Sequence, residues 1–255
     1  MSAPRYDFTS HRLFVDSSLH QDARVDLDAS QSNYLRNVLR LPDGAGLLTF
    51  NGRDGEWRAR LSLSGRKIVS LIIQDLVRVQ EPGCDLHYLF APLKHARLDY
   101  MVQKAVEMGA GVLRPVFTRR AQAERVNLDR MRANAIEAAE QCGILTIPEI
   151  ATSARLEALL SAWDASRLLI FCDENAPVRD PLEAMRDVAS AEAGRPLAVL
   201  IGPEGGFDPQ ERAALLATPH VLRLSLGPRI LRADTAAVAA LALAQAALGD
   251  WRRRT

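Results

Sequence analysis

The chain has 255 residues, of which 48% are apolar and 25% charged, with three cysteines and a formal net charge of +1. These values suit a folded globular protein and exclude a disordered or collagen-like one. The near-neutral sum announces no polyanionic partner.

The longest apolar run, Ala236 to Leu248, is broken by Gln245 and is too short to span a membrane as a helix, so a soluble chain with no membrane partner is expected. Met1 to Ser10 has no apolar stretch of the kind that a secretory signal needs. Cys84, Cys142 and Cys172 are odd in number and widely spaced, which offers neither a disulfide framework nor a paired metal site and fits a reducing cytosol.

The first 80 residues have the period of strands. His11 to Asp16 alternates, as does Trp57 to Ser64, and Lys67 to Leu76 is rich in Ile, Leu and Val. Asn51-Gly52-Arg53-Asp54-Gly55 predicts a hairpin turn. One helix is expected over Ser32 to Leu41, closed by Pro42-Asp43-Gly44. A small barrel-like β domain over residues 1–80 follows, bounded by Glu81-Pro82-Gly83.

Residues 81–255 alternate strand and helix. Asp85 to Ala91 predicts a strand, Ala96 to Met108 a helix with an apolar stripe of Leu98, Met101, Val102 and Ala105, and Val112 to Thr118 a strand. Leu128 to Cys142 predicts a helix ending at Gly143. Three strand-loop-helix units complete the chain. Two of their helices open with the same order, Asp180-Pro181-Leu182-Glu183 and Asp208-Pro209-Gln210-Glu211, an N-cap followed by proline and a carboxylate. The third helix runs from about Thr235 to Leu248. Repeated βα units predict an α/β domain with a largely parallel sheet covered on both faces.

In such sheets ligands bind in loops beyond the carboxyl ends of the strands. Two loops there stand out, Gly202-Pro203-Glu204-Gly205-Gly206-Phe207 and Gly227-Pro228-Arg229-Ile230-Leu231-Arg232. Adjacent glycines let a flat ring or a ribose lie on the backbone, and the Gly-Pro pairs fix the exit direction of each strand. Neither loop is GxGxxG or a P-loop. Glu204 sets like charge against a triphosphate, so a cofactor with little negative charge fits better. A plain βα turn is the simpler alternative for either loop alone.

On these residues the chain resembles the RsmE-type 16S rRNA uridine N3 methyltransferases of the SPOUT superfamily. Ile201 to Phe207, IGPEGGF, is similar to that family's signature loop, and Leu226 to Ala236, LGPRILRADTA, to its second. HRLFV from His11, YLRNVLRL from Tyr34, QKAVEMGA from Gln103 and EAAEQCG from Glu137 extend the likeness over nearly the whole chain. Two departures stand out: Ile144-Leu145-Thr146 where the family pattern has a polar or basic residue, and Asp234 where it has Glu.

The resemblance implies a PUA-like N-terminal barrel, a C-terminal trefoil-knotted domain, a cytoplasmic homodimer, and 16S rRNA as partner, within the assembled small subunit. It implies S-adenosylmethionine as cofactor; no metal is expected, because the His and Cys residues lack ligand spacing. The cofactor set is then Leu200, Ile201, Gly202, Pro203, Gly205, Gly206, Ser225, Leu226, Gly227, Ile230 and Leu231. Methyl transfer to uracil N3 requires loss of a proton and stabilisation of charge spreading to O2 and O4. Arg232, at the end of the second loop, suits the stabilising role, unless it contacts phosphate or pairs with Asp234. Glu204 suits the proton acceptor, or else a structural acceptor for loop amides.

Holding an unpaired or flipped uridine requires contacts to RNA. Basic residues number 32, of which 29 are Arg, and they are unevenly distributed: residues 94–132 carry 9 basic groups against 4 acidic, residues 1–80 carry 11 against 9. Candidates are Arg12, then Arg36 and Arg40 spaced i,i+4, and the stretch with Lys94, Arg97, Arg119 and Arg120. With 14 aromatic residues, extensive base stacking is not expected. The competing expectations are a non-catalytic ribosome-binding or assembly factor with inert loops, and a nucleotide-using small-molecule enzyme. The missing dinucleotide and P-loop fingerprints weigh against the second.

Overall fold

The computed structural model describes residues 7, 9–64, 68–94, 96–177, 180–192 and 194–252. Expectations that rest on residues 1–6, 8 and 67 lie outside the described residues. The chain divides into two compact units, residues 1–82 with 139–147, and residues 83–138 with 148–255.

The first unit is a five-stranded sheet of β1 (Arg12–Phe14), β2 (Arg24–Asp26), β3 (Gly46–Phe50), β4 (Glu56–Ser64) and β5 (Ile68–Arg78), ordered β1-β3-β4-β5-β2. β1 runs parallel to β3, and the other pairs are antiparallel. The Asn51–Gly55 turn joins β3 to β4. Asn51 Oδ1 accepts from the amides of Arg53 and Asp54 at 2.9 Å each, and Gly55 has φ 86°. A Cβ at Gly55 would lie 2.4 Å from the Arg78 carbonyl oxygen, so only glycine lets the turn meet the end of β5. Leu13, Val25, Leu47, Leu61, Leu71 and Ile73 fill the core.

The helix expected from Ser32 starts earlier and changes form. α1 spans Ala29–Asn33 and continues as a π-turn over Tyr34–Val38. Its start is set by a capping box between Asp28 and Gln31. Arg40, at φ 55°, turns the chain out of it. Strand β2 was not singled out by sequence, since Arg24–Asp26 offers only one apolar residue, Val25.

Residues 139–147, assigned by sequence to the second domain, belong with the first unit. Two arginines explain this. Arg12 Nη1 donates to the carbonyls of Ala139 and Glu140, Arg12 Nη2 to that of Ile144, and Arg78 Nη2 to that of Gly143. Carbonyls at a helix end have no partner within the helix, and cations near that end are favoured.

The second unit contains β6 (Leu86–Phe90), α2 (Ala96–Glu107), β7 (Val112–Phe117), most of α3 (Leu128–Cys142), β8 (Glu149–Ile150), β9 (Ala154–Arg155) and α4 (Leu156–Ser161). Then come β10 (Leu168–Cys172), α5 (Pro181–Ala191), β11 (Leu197–Ile201), α6 (Pro209–Leu216), β12 (Val221–Leu224) and α7 (Ala233–Ala247). The sheet order is β12-β10-β11-β6-β7-β8, with β9 also on β7, and every pairing is parallel. Leu89, Leu169, Phe171, Ala198 and Leu200 pack with Leu156 of α4 and Leu215 of α6. α7 packs on α2, α5 and β11. Its buried Ala236, Ala237, Ala240 and Ala244 let it lie close to them.

The repeated Asp-Pro order does open two helices. Asp180 accepts from the amides of Leu182 and Glu183, and Asp208 from those of Gln210 and Glu211, where Glu211 reaches back to complete a capping box. Among the described residues no helix is long and apolar enough to cross a membrane.

Candidate functional site

β11 and β12 flank β10 and run parallel to it, so the two Gly-Pro loops leave the same carboxyl edge of the sheet on either side of residues 173–177. In the first loop the amide of Gly206 donates to the Pro203 carbonyl at 2.9 Å, and Gly206 has φ 67°. A Cβ at Gly202 would lie 2.8 Å from the Phe207 ring, which stands edge-on to Phe171 at 5.9 Å and so anchors the loop to the core. In the second loop Gly227 has φ 93°, a conformation that favours glycine.

Of the residues expected to hold a cofactor, Leu200 and Ile201 are buried in β11, where Leu200 belongs to the apolar core, so its main chain is what it offers to a ligand. Pro203 and Ser225 are buried, Gly202, Gly206, Leu226, Gly227 and Leu231 half-buried, and Gly205 exposed. Ile230 is 99% exposed, and none of the described residues shelters it.

Asp173, at the end of β10, ties the bases of both loops together. It accepts from Arg212 Nη2 of α6 and Arg223 Nε of β12, each at 2.9 Å, and from the Asn175 amide at 3.1 Å. Burial pushes its carboxyl up, but the hydrogen bonds from Arg212, Asn175 and Arg223 win and hold it below the usual carboxylate range. Sequence reasoning missed this residue. The only available signal was an Asp where an apolar strand ends.

A second bridge joins the first loop to the start of α7, just beyond the second loop. From the first turn of α2, Arg97 Nη1 donates to Glu204 Oε1 and Arg97 Nε to Asp234 Oδ2, each at 3.0 Å. The Arg97 hydrogen bond, outweighing partial burial, holds the Asp234 carboxyl below its usual value. Arg97 was grouped by sequence with residues that would touch RNA. The structure uses two of its nitrogens inside the site instead.

Arg232 is exposed and occupies the N-cap position of α7, where its carbonyl accepts from the Ala236 amide at 2.8 Å. Asp234 pairs with Arg97 rather than with Arg232. Arg232 and Glu204 thus stand on the two loops that flank β10, Arg232 with an exposed side chain and Glu204 with an ion-paired one.

The basic candidates separate by burial. Arg12 is a correction: it is 7% exposed, its Nε donates to Glu56 Oε1 at 2.6 Å, and its guanidinium lies 4.4 Å over the Phe50 ring. Its donors serve the protein interior rather than an RNA surface. Arg40 is exposed and Arg36 half-buried beside an open cleft lined also by Leu27, Ala29, Ser32, Asn33 and Asn37. In the second unit Lys94 is exposed, Arg119 bonds Asp208, Gln210 and Glu157, and Arg120 Nη1 donates to the Gly205 carbonyl at 2.7 Å. Among the described residues no group of three or more His, Cys, Asp or Glu side chains is placed to hold a metal ion.

Two family models match the chain, an RNA methyltransferase domain over residues 80–245 and an RNA methyltransferase PUA domain over residues 27–74. The chain belongs to the RsmE-type RNA methyltransferases. A Mycobacterium bovis relative named ribosomal RNA small subunit methyltransferase E is 31% identical over 254 residues, covering 94% of this chain and 92% of that protein. A Rickettsia conorii relative of the same name is 28% identical over 233 residues, covering 91% and 93%. Among solved structures, a Legionella pneumophila methyltransferase in complex with bound cofactor SAM is 28% identical, with a TM-score of 0.77, covering 94% of this chain and 99% of that one. Membership places both Gly-Pro loops of this RNA methyltransferase inside its methyltransferase domain, and its α1 and π-turn inside the PUA domain.

Proposed function

We propose that the protein uses S-adenosylmethionine to methylate N3 of a uridine in 16S rRNA of the small ribosomal subunit. The observation that carries this is the pair of Gly-Pro loops at one carboxyl edge of a parallel sheet, in a member of an RNA methyltransferase family, with Arg97 tying the first loop to the helix that follows the second. The relatives' shared name supports the substrate, and the SAM-bound Legionella structure supports the cofactor. Nothing observed favours a non-catalytic assembly factor.

The residues present fit such a cofactor. Gly206 and Gly227 bring bare main chain to the site in left-handed conformations, Leu226 and Leu231 offer partly covered apolar surface, and Arg97 Nη2 is a buried donor without a partner among the described residues. When bound, S-adenosylmethionine supplies a methyl group on a sulfonium centre. Gly202, Pro203, Gly205, Gly206, Ser225, Leu226, Gly227 and Leu231, with the main chain of Leu200, Ile201 and Ile230, would hold and orient it, and such positioning would supply much of the rate.

Arg232 donates to uracil O2 or O4 and stabilises the negative charge that spreads there once N3 loses its proton. Glu204 receives that proton directly or through a water. Arg36 and Arg40 in the PUA domain, and Lys94, Arg119 and Arg120 in the methyltransferase domain, contact the RNA backbone and hold the uridine unpaired.

The finer architecture follows the same reading: a small barrel in the first unit and a trefoil knot in the second. The return of α7 from edge strand β12 to the sheet centre at β11 supports the knot. The protein acts as a cytoplasmic homodimer on the assembled small subunit. The 99% exposure of Ile230 and the exposed Trp251 support burial of apolar surface against a second copy. Nucleoside mass spectrometry of 16S rRNA with and without the protein tests the function, and 3-methyluridine should appear only with it.

A further inference from the structure

Arg97 presents one planar guanidinium to two carboxylates, one on the first Gly-Pro loop and one just beyond the second. Glu204 lies in the first loop and Asp234 in the first turn of α7, two residues after Arg232. Asp234 is itself oriented, because its Oδ1 accepts from the Thr235 amide at 2.8 Å. Arg97 also has a fixed base, since α2, on which it stands, packs against α7. An arginine fork can hold two acceptors in a set geometry, whereas a lysine ammonium acts as a point charge on a flexible stem. The third corner, Nη2, is buried without a partner among the described residues, although the side chain as a whole is 38% exposed. A buried donor in that state calls for an acceptor.

We propose that Arg97 is a positioning residue for methyl transfer: it locks Glu204 to Asp234, and this lock fixes the spacing of the two loops and the place of Arg232. The proposal rests on the function proposed above. It assigns Arg97 a part that no general affinity for RNA would give it, because its two bonds link the first Gly-Pro loop to the first turn of α7. The Arg97 side chain is 38% exposed, so solvent screens these pairs in part, and the lock governs loop geometry more than folding.

The test compares the full-length protein with R97A, R97K, E204Q and the R97A/E204Q double variant. Two measurements are made: hydrogen exchange of residues 202–207 and 227–235 without substrate, and labelled-methyl transfer to small subunits that lack the modification. Far-UV circular dichroism confirms that each variant folds. In R97A both loops should exchange faster, and kcat should fall of order 10²-fold, as for a misplaced reacting group. The KM for S-adenosylmethionine should move by less than about tenfold. R97K should recover only part of kcat, and the double variant should be no slower than the slower single variant. The proposal is overturned if R97A leaves exchange in both loops unchanged, or if the R97A and E204Q losses multiply in the double variant. Absence of transfer by the unaltered protein would instead defeat the proposed function, and the exchange measurement would still decide whether the lock exists.

Discussion

In the first unit Arg12 and Arg78 close on the buried Glu56 and reach on to the carbonyls at the end of α3, whereas in the second unit Arg97 joins Glu204 and Asp234 from a half-exposed position. Both are one-to-two arrangements of opposite charge, and their surroundings decide what they do. Glu56 is 1% exposed, so removing either sign there leaves a charge in a medium that cannot solvate it. Around Arg97 water still screens the charges, and the arrangement can set the shape of loops without holding up the fold. An arginine-rich composition therefore says little about function until each guanidinium is located.

Glu56→Gln should sharpen the contrast most. Loss of the shared carboxylate should cost about 3–5 kcal/mol of stability in urea unfolding, the range for breaking a buried pair. Arg97→Ala should leave the urea midpoint near that of the unaltered protein. Equal losses in the two variants would erase the distinction.

Arg232→Ala comes next. It should reduce labelled-methyl transfer by about 10²–10³-fold, as for loss of a donor to a developing oxyanion, with calorimetric affinity for S-adenosylmethionine within a few fold. Normal turnover would remove the arginine from the mechanism.

Acid probes the buried cluster further. Burial pushes the Glu56 carboxyl up, but hydrogen bonds from Arg78 and Arg12 outweigh it, and the folded value lies below the ordinary 4.5. A depressed folded value means that the cluster's contribution is present above about pH 4.5 and is lost as pH falls through the lower folded value. The stability gap between the unaltered protein and Glu56→Gln should narrow on that descent in melting experiments. A gap constant down to pH 2 would contradict the charge assignment.

The smallest effect is expected at the surface of the first unit. Arg36→Ala and Arg40→Ala should each lower the slope of log affinity for RNA against log salt by about 1, with little change in melting temperature. An unchanged slope would move RNA contacts away from the PUA domain's π-turn.

Local chemistry made much of this legible in sequence. The Asp-Pro starts of α5 and α6, the Asn51–Gly55 turn and the two Gly-Pro loops are set by neighbouring residues, and they lie where the pattern puts them. β8 and β9, of two residues each, and α4, of six, are too short to carry a period, and they passed unread. The burial of Arg12 was illegible because it depends on Glu56 and on the end of α3, 127 and more residues away. The Arg97 bridge was hidden for the same reason, since its partners lie 107 and 137 residues off. Resemblance supplied the chemistry of the loops, and geometry supplied the arginine that joins them.

The central claim is methylation of uridine N3 in 16S rRNA, and nucleoside mass spectrometry tests it most directly. Small subunits from cells lacking this protein, treated with the purified protein and S-adenosylmethionine, should gain 3-methyluridine in 16S rRNA and no other methylated nucleoside. No gain, or a gain at a different atom, would contradict the account.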